Sequence, residues 1–304
     1  MFLAACTTGT SSAPRKAYIG VFGDNTVAAV DTTTWKVLTT IPVTAPDGLV
    51  VTPDGKKVYV SSNNAGVVDV IDTATEQVAT SIAVGAQPAG IAIAPDGGHI
   101  VVSVQGDGFA AIIDTATDTV LGKTPVGKAH NGAISPDGSL AFIASQVSTA
   151  PGVDIVAMPG GTAGATFTLD ASPRALCDLS GTLYVTVAGS AAIETLDATS
   201  GAKGASITTG GSPHDIRPTI DGGTVLTVSQ TAGELEVIDP HAASVTAHVP
   251  TGTMPHWIGL SSDGKLAVVT NEGDNNISVV DLATHTVQQS YPVGTGPRKI
   301  AIQP

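Results

Sequence analysis

Residues 90–121 read Gly90-Ile91-Ala92-Ile93-Ala94-Pro95-Asp96-Gly97-Gly98-His99-Ile100-Val101-Val102-Ser103, followed after Val104-Gln105-Gly106-Asp107-Gly108 by Phe109-Ala110-Ala111-Ile112-Ile113-Asp114-Thr115-Ala116-Thr117-Asp118-Thr119-Val120-Leu121. Four short β-prone runs (90–93, 100–103, 111–114 and 119–121) are separated by turn residues, which predicts four antiparallel strands. Both sides of most runs are apolar, so each small sheet must be covered on two faces.

The pattern recurs about every 42 residues along the chain. Pro-Asp-Gly turns stand at 53–55, 95–97 and 136–138. Weaker versions follow at Leu179-Ser180-Gly181, Ile220-Asp221-Gly222 and Ser262-Asp263-Gly264. A second ladder of Asp31, Asp72, Asp114, Asp197, Asp239 and Asp281 follows apolar pairs, with Met158-Pro159 at its missing rung. Four-stranded units of this length, stacked radially, are the blades of a β-propeller. Residues 15–304 are therefore expected to form one all-β domain, a seven-bladed propeller of four-stranded antiparallel blades. The first period lacks an innermost strand and the chain ends with a spare one, Arg298–Gln303. Pairing it beside Tyr18–Phe22 would close the ring and remove two exposed sheet edges.

The repeat resembles the YVTN-type (YncE-like) β-propeller family over residues 15–304. The likeness rests on Val58-Tyr59-Val60-Ser61-Ser62-Asn63, Tyr184-Val185-Thr186, Val268-Val269-Thr270-Asn271 and the recurrent Ile-Asp-Thr-Ala-Thr and Val-Gly-x-x-Pro segments. It implies a secreted or periplasmic binding or scaffold protein, with nucleic-acid binding implied for some members. Related propellers include lactonases, lyases and metalloenzyme domains. Fold alone does not choose among these.

Hydrophobic residues make up 42% of the 304, against 13% charged, and the formal net charge is −13. That charge opposes a general role on nucleic acid or acidic membranes, since phosphate binding needs a cationic surface. The two cysteines, Cys6 and Cys177, cannot make a disulfide framework. Cys177 lies in an apolar run and reads as core. Leu3-Ala4-Ala5-Cys6 has the form of a bacterial lipobox, and Thr7-Thr8-Gly9-Thr10-Ser11-Ser12-Ala13-Pro14 that of a polar tether. Residues 1–14 thus read as a truncated lipoprotein-type signal and tether. They predict lipidation at Cys6, export to the periplasm or cell surface, and membrane contact only through that anchor. A monomer is expected.

Eleven of the 26 acidic residues are the turn and ladder aspartates, which accept local backbone hydrogen bonds and need no functional explanation. The loops that enter the innermost strands should ring the channel mouth. They read Pro46-Asp47-Gly48, Pro88-Ala89-Gly90, His130-Asn131-Gly132, Pro173-Arg174-Ala175, Pro213-His214-Asp215, Pro255-His256-Trp257 and Pro297-Arg298-Lys299. Small residues dominate the first three; the last four carry charge and aromatic rings. Counting Lys128 and Arg217, five of the thirteen basic residues lie in or beside these loops. The loops between second and third strands add Asp24, Asn25, Asn63, Asn64, Gln105, Asp107, Gln146, Gln230, Asn271, Glu272 and Asp274 as hydrogen-bonding groups.

The expected ligand site is therefore His130, Arg174, His214, Asp215, His256, Trp257, Arg298 and Lys299. Arg174 and Arg298 could clamp a carboxylate or phosphate, with Trp257 as a stacking face. The ligand classes are an anionic small molecule, a polymer segment or a protein loop. No cofactor is required, and no nucleophile elbow, phosphate loop or helix-borne metal motif compels catalysis. Two alternatives use the same mouth. In one, His130, His214 and His256 hold a divalent metal for a lyase, lactonase or isomerase, with Asp215 or Glu272 as base. In the other, Trp257 and the basic groups bind single-stranded nucleic acid.

Overall fold

The computed structural model describes residues 15–304; the Cys6 motif and its tether lie outside the described residues. The chain forms seven four-stranded antiparallel sheets arranged as a ring. From the channel outward, blade one consists of Pro297–Ile302, Lys16–Val21, Thr26–Asp31 and Val37–Pro42. Blades two to seven each use four consecutive strands, with innermost strands Pro46–Val51, Pro88–Ile93, Ala129–Ile134, Pro173–Leu179, Pro213–Pro218 and Pro255–Leu260.

Closure occurs as the repeat count requires. Ala17 pairs with Ile302, Tyr18 with Ala301 and Ile19 with Ile300. Gln303 extends the joint, its N–H donating to the Lys16 carbonyl and its Oε1 accepting from the Lys16 N–H at 2.9 Å each.

Burial explains why the strands are apolar on both faces. The seven hydrophobic clusters each span two neighbouring blades. Ile19 and Val30 of blade one meet Val268 and Val279 of blade seven, and Val68 and Val70 of blade two meet Ile100 and Val102 of blade three. A blade thus has no core of its own, and its stability comes from its neighbours.

Polar staples run along the same seams. Tyr59 is fully buried, yet its hydroxyl donates to the Thr115 carbonyl of blade three at 3.2 Å and also reaches Asp118. Lys57 donates to the same carbonyl at 2.9 Å and to Asp118 at 2.8 Å. Lys16 and Tyr18 repeat the arrangement against Thr73 and Glu76 of blade two. The Lys-x-Tyr spacing thus ties a second strand to the aspartate turn of the following blade.

The ladder aspartates behave as turn residues. Asp72 Oδ1 accepts from the N–H groups of Ala74 and Thr75 at 2.9 Å each, and these bonds hold its carboxyl below the usual range. Trp35 and Cys177 are buried. Burial pushes the Cys177 thiol up, which keeps it protonated and unreactive.

Two outcomes follow. Ending the chain after Pro297 leaves the inner edge of Lys16–Val21 unpaired and removes Ile300 from its seam, so the cooperative thermal transition should disappear. A truncated protein melting with the full-length midpoint would contradict the closure. Tyr59→Phe removes one staple hydroxyl and should cost about 0.5–1.5 kcal/mol in urea unfolding, with the fold intact by circular dichroism.

Candidate functional site at the channel mouth

The strand register corrects one point of the sequence alignment. Pro46 pairs with Ser62, Pro88 with Val104, Ala129 with Ser145, Pro173 with Val187, Pro213 with Ser229 and Pro255 with Asn271. Ala129, not His130, therefore occupies the proline position of blade four. The cause is the loop Val126–Ala129, one residue shorter than Val84–Pro88.

Two stacked rings result. The upper ring, in blade order from two through seven to one, is Asp47, Ala89, His130, Arg174, His214, His256 and Arg298. Beneath it lie Gly48, Gly90, Asn131, Ala175, Asp215, Trp257 and Lys299. Every blade but the third, whose pair is Ala89 and Gly90, contributes a polar or aromatic group.

The backbone carbonyls of the upper ring must be satisfied, and this determines how the histidines are held. In blades two, five and seven a hydroxyl on the second strand reaches the carbonyl of the next blade: Ser61 to Ala89, Thr186 to His214 and Thr270 to Arg298. Blades four and six carry Ala144 and Val228 at that position, and there the ring histidine substitutes. His214 Nδ1 donates to the His256 carbonyl at 3.1 Å. His130 Nδ1 and Asn131 Nδ2 converge on the Arg174 carbonyl at 2.9 and 3.0 Å.

A carbonyl only accepts, so the His214 imidazole carries its proton on Nδ1 and keeps Nε2 as a lone pair, whereas His130 Nδ1 also lies 2.8 Å from the Asn131 Nδ2 donor, so its contacts admit either tautomer. His256 differs. Thr270 already occupies the next carbonyl, which leaves His256 Nδ1 buried without a protein partner, and its Nε2 lies 3.9 Å from Glu272 Oε2. The His214 and His256 rings are 4.0 Å apart, while His130 stands 6.5 Å from His214. Burial pushes all three imidazoles down, and the neighbouring cations Lys299 and Arg174 or Arg298 push them further, so they are neutral at pH 7.

Lys299 crosses the channel. From blade one its Nζ donates to Asn131 Oδ1 of blade four at 2.6 Å, and it sits 3.1 Å from the centroid of the Trp257 ring. It is 3% exposed. Gly90 makes room for this strut, because a Cβ there would lie 2.7 Å from Asn131 Oδ1. Burial pushes the amine down to about 7, with Asp47 and Asp215 opposing.

Above this floor is a polar cup of about 540 Å³. Its walls carry Lys128, Arg174, Arg298 and Lys299 against the carboxylates of Asp47 and Glu272. Arg298 is already engaged: its Nε donates to Glu272 at 3.0 Å and its guanidinium stacks on Phe22 at 3.7 Å. Half-buried Arg174 donates only to the neutral Gln230 Oε1, at 3.0 Å. Neither it nor Lys299 forms an ion pair among the described residues.

Several groups expected at the mouth are placed elsewhere. Trp257 lies under Lys299 and does not line the cup. Buried Asp215 accepts from Arg217 Nε at 3.2 Å and from the Ile258 N–H at 3.0 Å, so it fastens blade six to blade seven. Asp24, Asp107 and Asp274 accept the N–H groups of Thr295, Ala86 and Thr253, holding the loops between blades. Among the described residues, the acid–histidine triad whose ligand atoms lie within 4.8 Å of one another is Glu234–Glu236–His248, on the outer strands of blade six. Glu236 there serves the Gly210 N–H.

Solved structures share the fold at low identity. A functionally unknown protein from Desulfotomaculum acetoxidans superposes with a TM-score of 0.82 at 16% identity, covering 95% of this chain and 98% of that one. Hydrazine synthase of Kuenenia stuttgartiensis gives 0.73 at 18%, covering 83% and 87%. Citrobacter koseri AztD gives 0.67 at 14%, covering 95% and 97%. No curated protein matches the sequence. The family model of the YNCE-like beta-propeller matches residues 172–302, so the part of the ring that carries Arg174, His214, His256, Arg298 and Lys299 is YNCE-like, within a propeller that closes over the whole described chain.

Proposed function

We propose that the chain is a binding propeller that takes a small organic anion, bearing a carboxylate or phosphate, into the cup. The observation that carries this reading is the pair of cations, Arg174 and Lys299, gathered without carboxylate partners among the described residues on a protein of net charge −13. A guanidinium offers a planar fork suited to carboxylate or phosphate, and an enclosed ammonium gains most from an incoming anion. A cavity of about 540 Å³ lies within the range of small-molecule sites. The lipobox-like Leu3-Ala4-Ala5-Cys6 supports placing this receptor in the cell envelope, periplasmic or on the cell surface.

The two alternatives find less support. A metal shared by His130, His214 and His256 needs three convergent ligand atoms, and the convergent triad lies on the outer edge of blade six. Single-stranded nucleic acid needs an exposed stacking face, whereas Trp257 is covered by Lys299.

Citrate, succinate and inorganic phosphate should raise the melting temperature of the wild-type protein, because a ligand that prefers the native state stabilises it. Arg174→Ala should weaken the best of these by about ten- to a hundredfold in calorimetry, the value of a charge-assisted hydrogen bond. Unchanged affinity with the fold intact would refute the assignment. Arg298→Ala should also weaken binding, through the Glu272 charge it frees.

The neutral imidazoles add a pH dependence. Their folded pKa values are depressed, so the unfolded state binds more protons below about pH 6.5 and stability falls as the pH drops through that region. An anion in the cup favours the charged imidazoles, so its stabilising shift in melting temperature should be larger at pH 5.5 than at pH 7.5. A shift that shrinks on acidification would place the anion elsewhere.

A further inference from the structure

We propose that Lys299 is a nucleophilic amine that condenses with the carbonyl group of an anionic aldehyde or ketone held in the cup, forming an imine. The inference rests on the anion-binding reading above and names the ligand class for it.

The geometry of the amine carries the argument. An ordinary buried lysine is neutralised by a carboxylate, but among the described residues Lys299 has an amide oxygen, Asn131 Oδ1 at 2.6 Å, and the face of Trp257 as its close partners. The acid two places along its own ring, Asp215, is committed to Arg217 and to the Ile258 N–H. The surrounding groups are the three neutral imidazoles, the like charges of Arg217 and Arg298, and the carboxylates of Asp47 and Asp215, which oppose them without forming an ion pair to the amine among the described residues. Burial leaves a substantial share of the amine as free base at neutral pH, whereas an exposed lysine has on the order of one part in a thousand. The amine is enclosed but lines the cup.

The wall supplies the remaining requirements. Arg174 can anchor the anionic group while the carbonyl approaches the floor. His214, with its Nδ1 proton committed to the His256 carbonyl, presents Nε2 as a proton acceptor. In the step itself the Nζ lone pair attacks the carbonyl carbon and forms the C–N bond. The C–O bond then breaks, and the oxygen leaves as water with the two amine protons. No oxidant or reductant is needed.

Lys128, exposed on the rim of the same cup, is the internal control. The full chain is incubated at neutral pH with pyruvate, glyoxylate or glyceraldehyde 3-phosphate and sodium cyanoborohydride, then analysed by intact mass and peptide mapping. The expected result is a single saturable reduced adduct on Lys299, at least tenfold faster than on Lys128 and suppressed by succinate, which lacks a carbonyl. Arg174→Ala, which leaves the strut in place, should slow labelling at least tenfold. Lys299→Arg should bind succinate and form no adduct in the cup. If that variant does not fold, site mapping on the wild-type protein decides. Labelling spread evenly over exposed lysines, or no adduct while succinate binds, overturns the imine and leaves the receptor standing. Absence of both adduct and anion binding removes both.

Discussion

The pairing of Pro297–Ile302 with Lys16–Val21 is the constraint on which the rest of the molecule depends. Because each hydrophobic cluster lies between two blades, the ring has no independent part. An open seam would expose two apolar faces together and leave two sheet edges unpaired. The strand that closes the ring also delivers Arg298 and Lys299 to the channel. Structural closure and the chemistry of the floor are therefore borne by the same six residues.

The second constraint is the supply of hydrogen bonds to the carbonyls at the mouth. Five of the seven ring carbonyls receive a side-chain donor; where the second strand offers Ser61, Thr186 or Thr270 that donor is a hydroxyl, while the Ser103 hydroxyl at the equivalent position of blade three makes no hydrogen bond among the described residues. Where it offers Ala144 or Val228, an imidazole takes over. His214 thus combines a structural nitrogen, Nδ1, with a second nitrogen free of that duty. That second nitrogen is a neutral Nε2 of fixed orientation on the lining of the cup. His256, displaced from this duty by Thr270, is the one whose Nδ1 is left over.

Much of the architecture was legible from the repeat. Pro95-Asp96-Gly97, Asp114 and the spare C-terminal strand were enough to count blades and locate the seam, because turn chemistry and strand periodicity are local properties. The candidate site was legible only in outline. His130 was misaligned by one residue because the loop ahead of it is short, and the pairing of Ala129 with Ser145 is visible only in three dimensions. The Lys299–Asn131 strut joins residues 168 apart and depends on ring closure. The neutralisation of Arg298 by Glu272, its stacking on Phe22, and the diversion of Asp215 and Trp257 from the cup are likewise tertiary facts. One signal was available in advance: once the last strand is assigned to blade one, residues 298 and 299 must face blades four and five across the channel.

The floor of the cup is an enclosed amine without a carboxylate partner among the described residues, and the proposed anion site rests on it. Lysine-selective NMR of the Lys299 side chain across a pH titration tests it most directly, with and without saturating succinate. A midpoint near 7 is expected for the free protein, moving upward when the anion binds. A midpoint near the ordinary lysine value of about 10.4, unmoved by any anion, would contradict it.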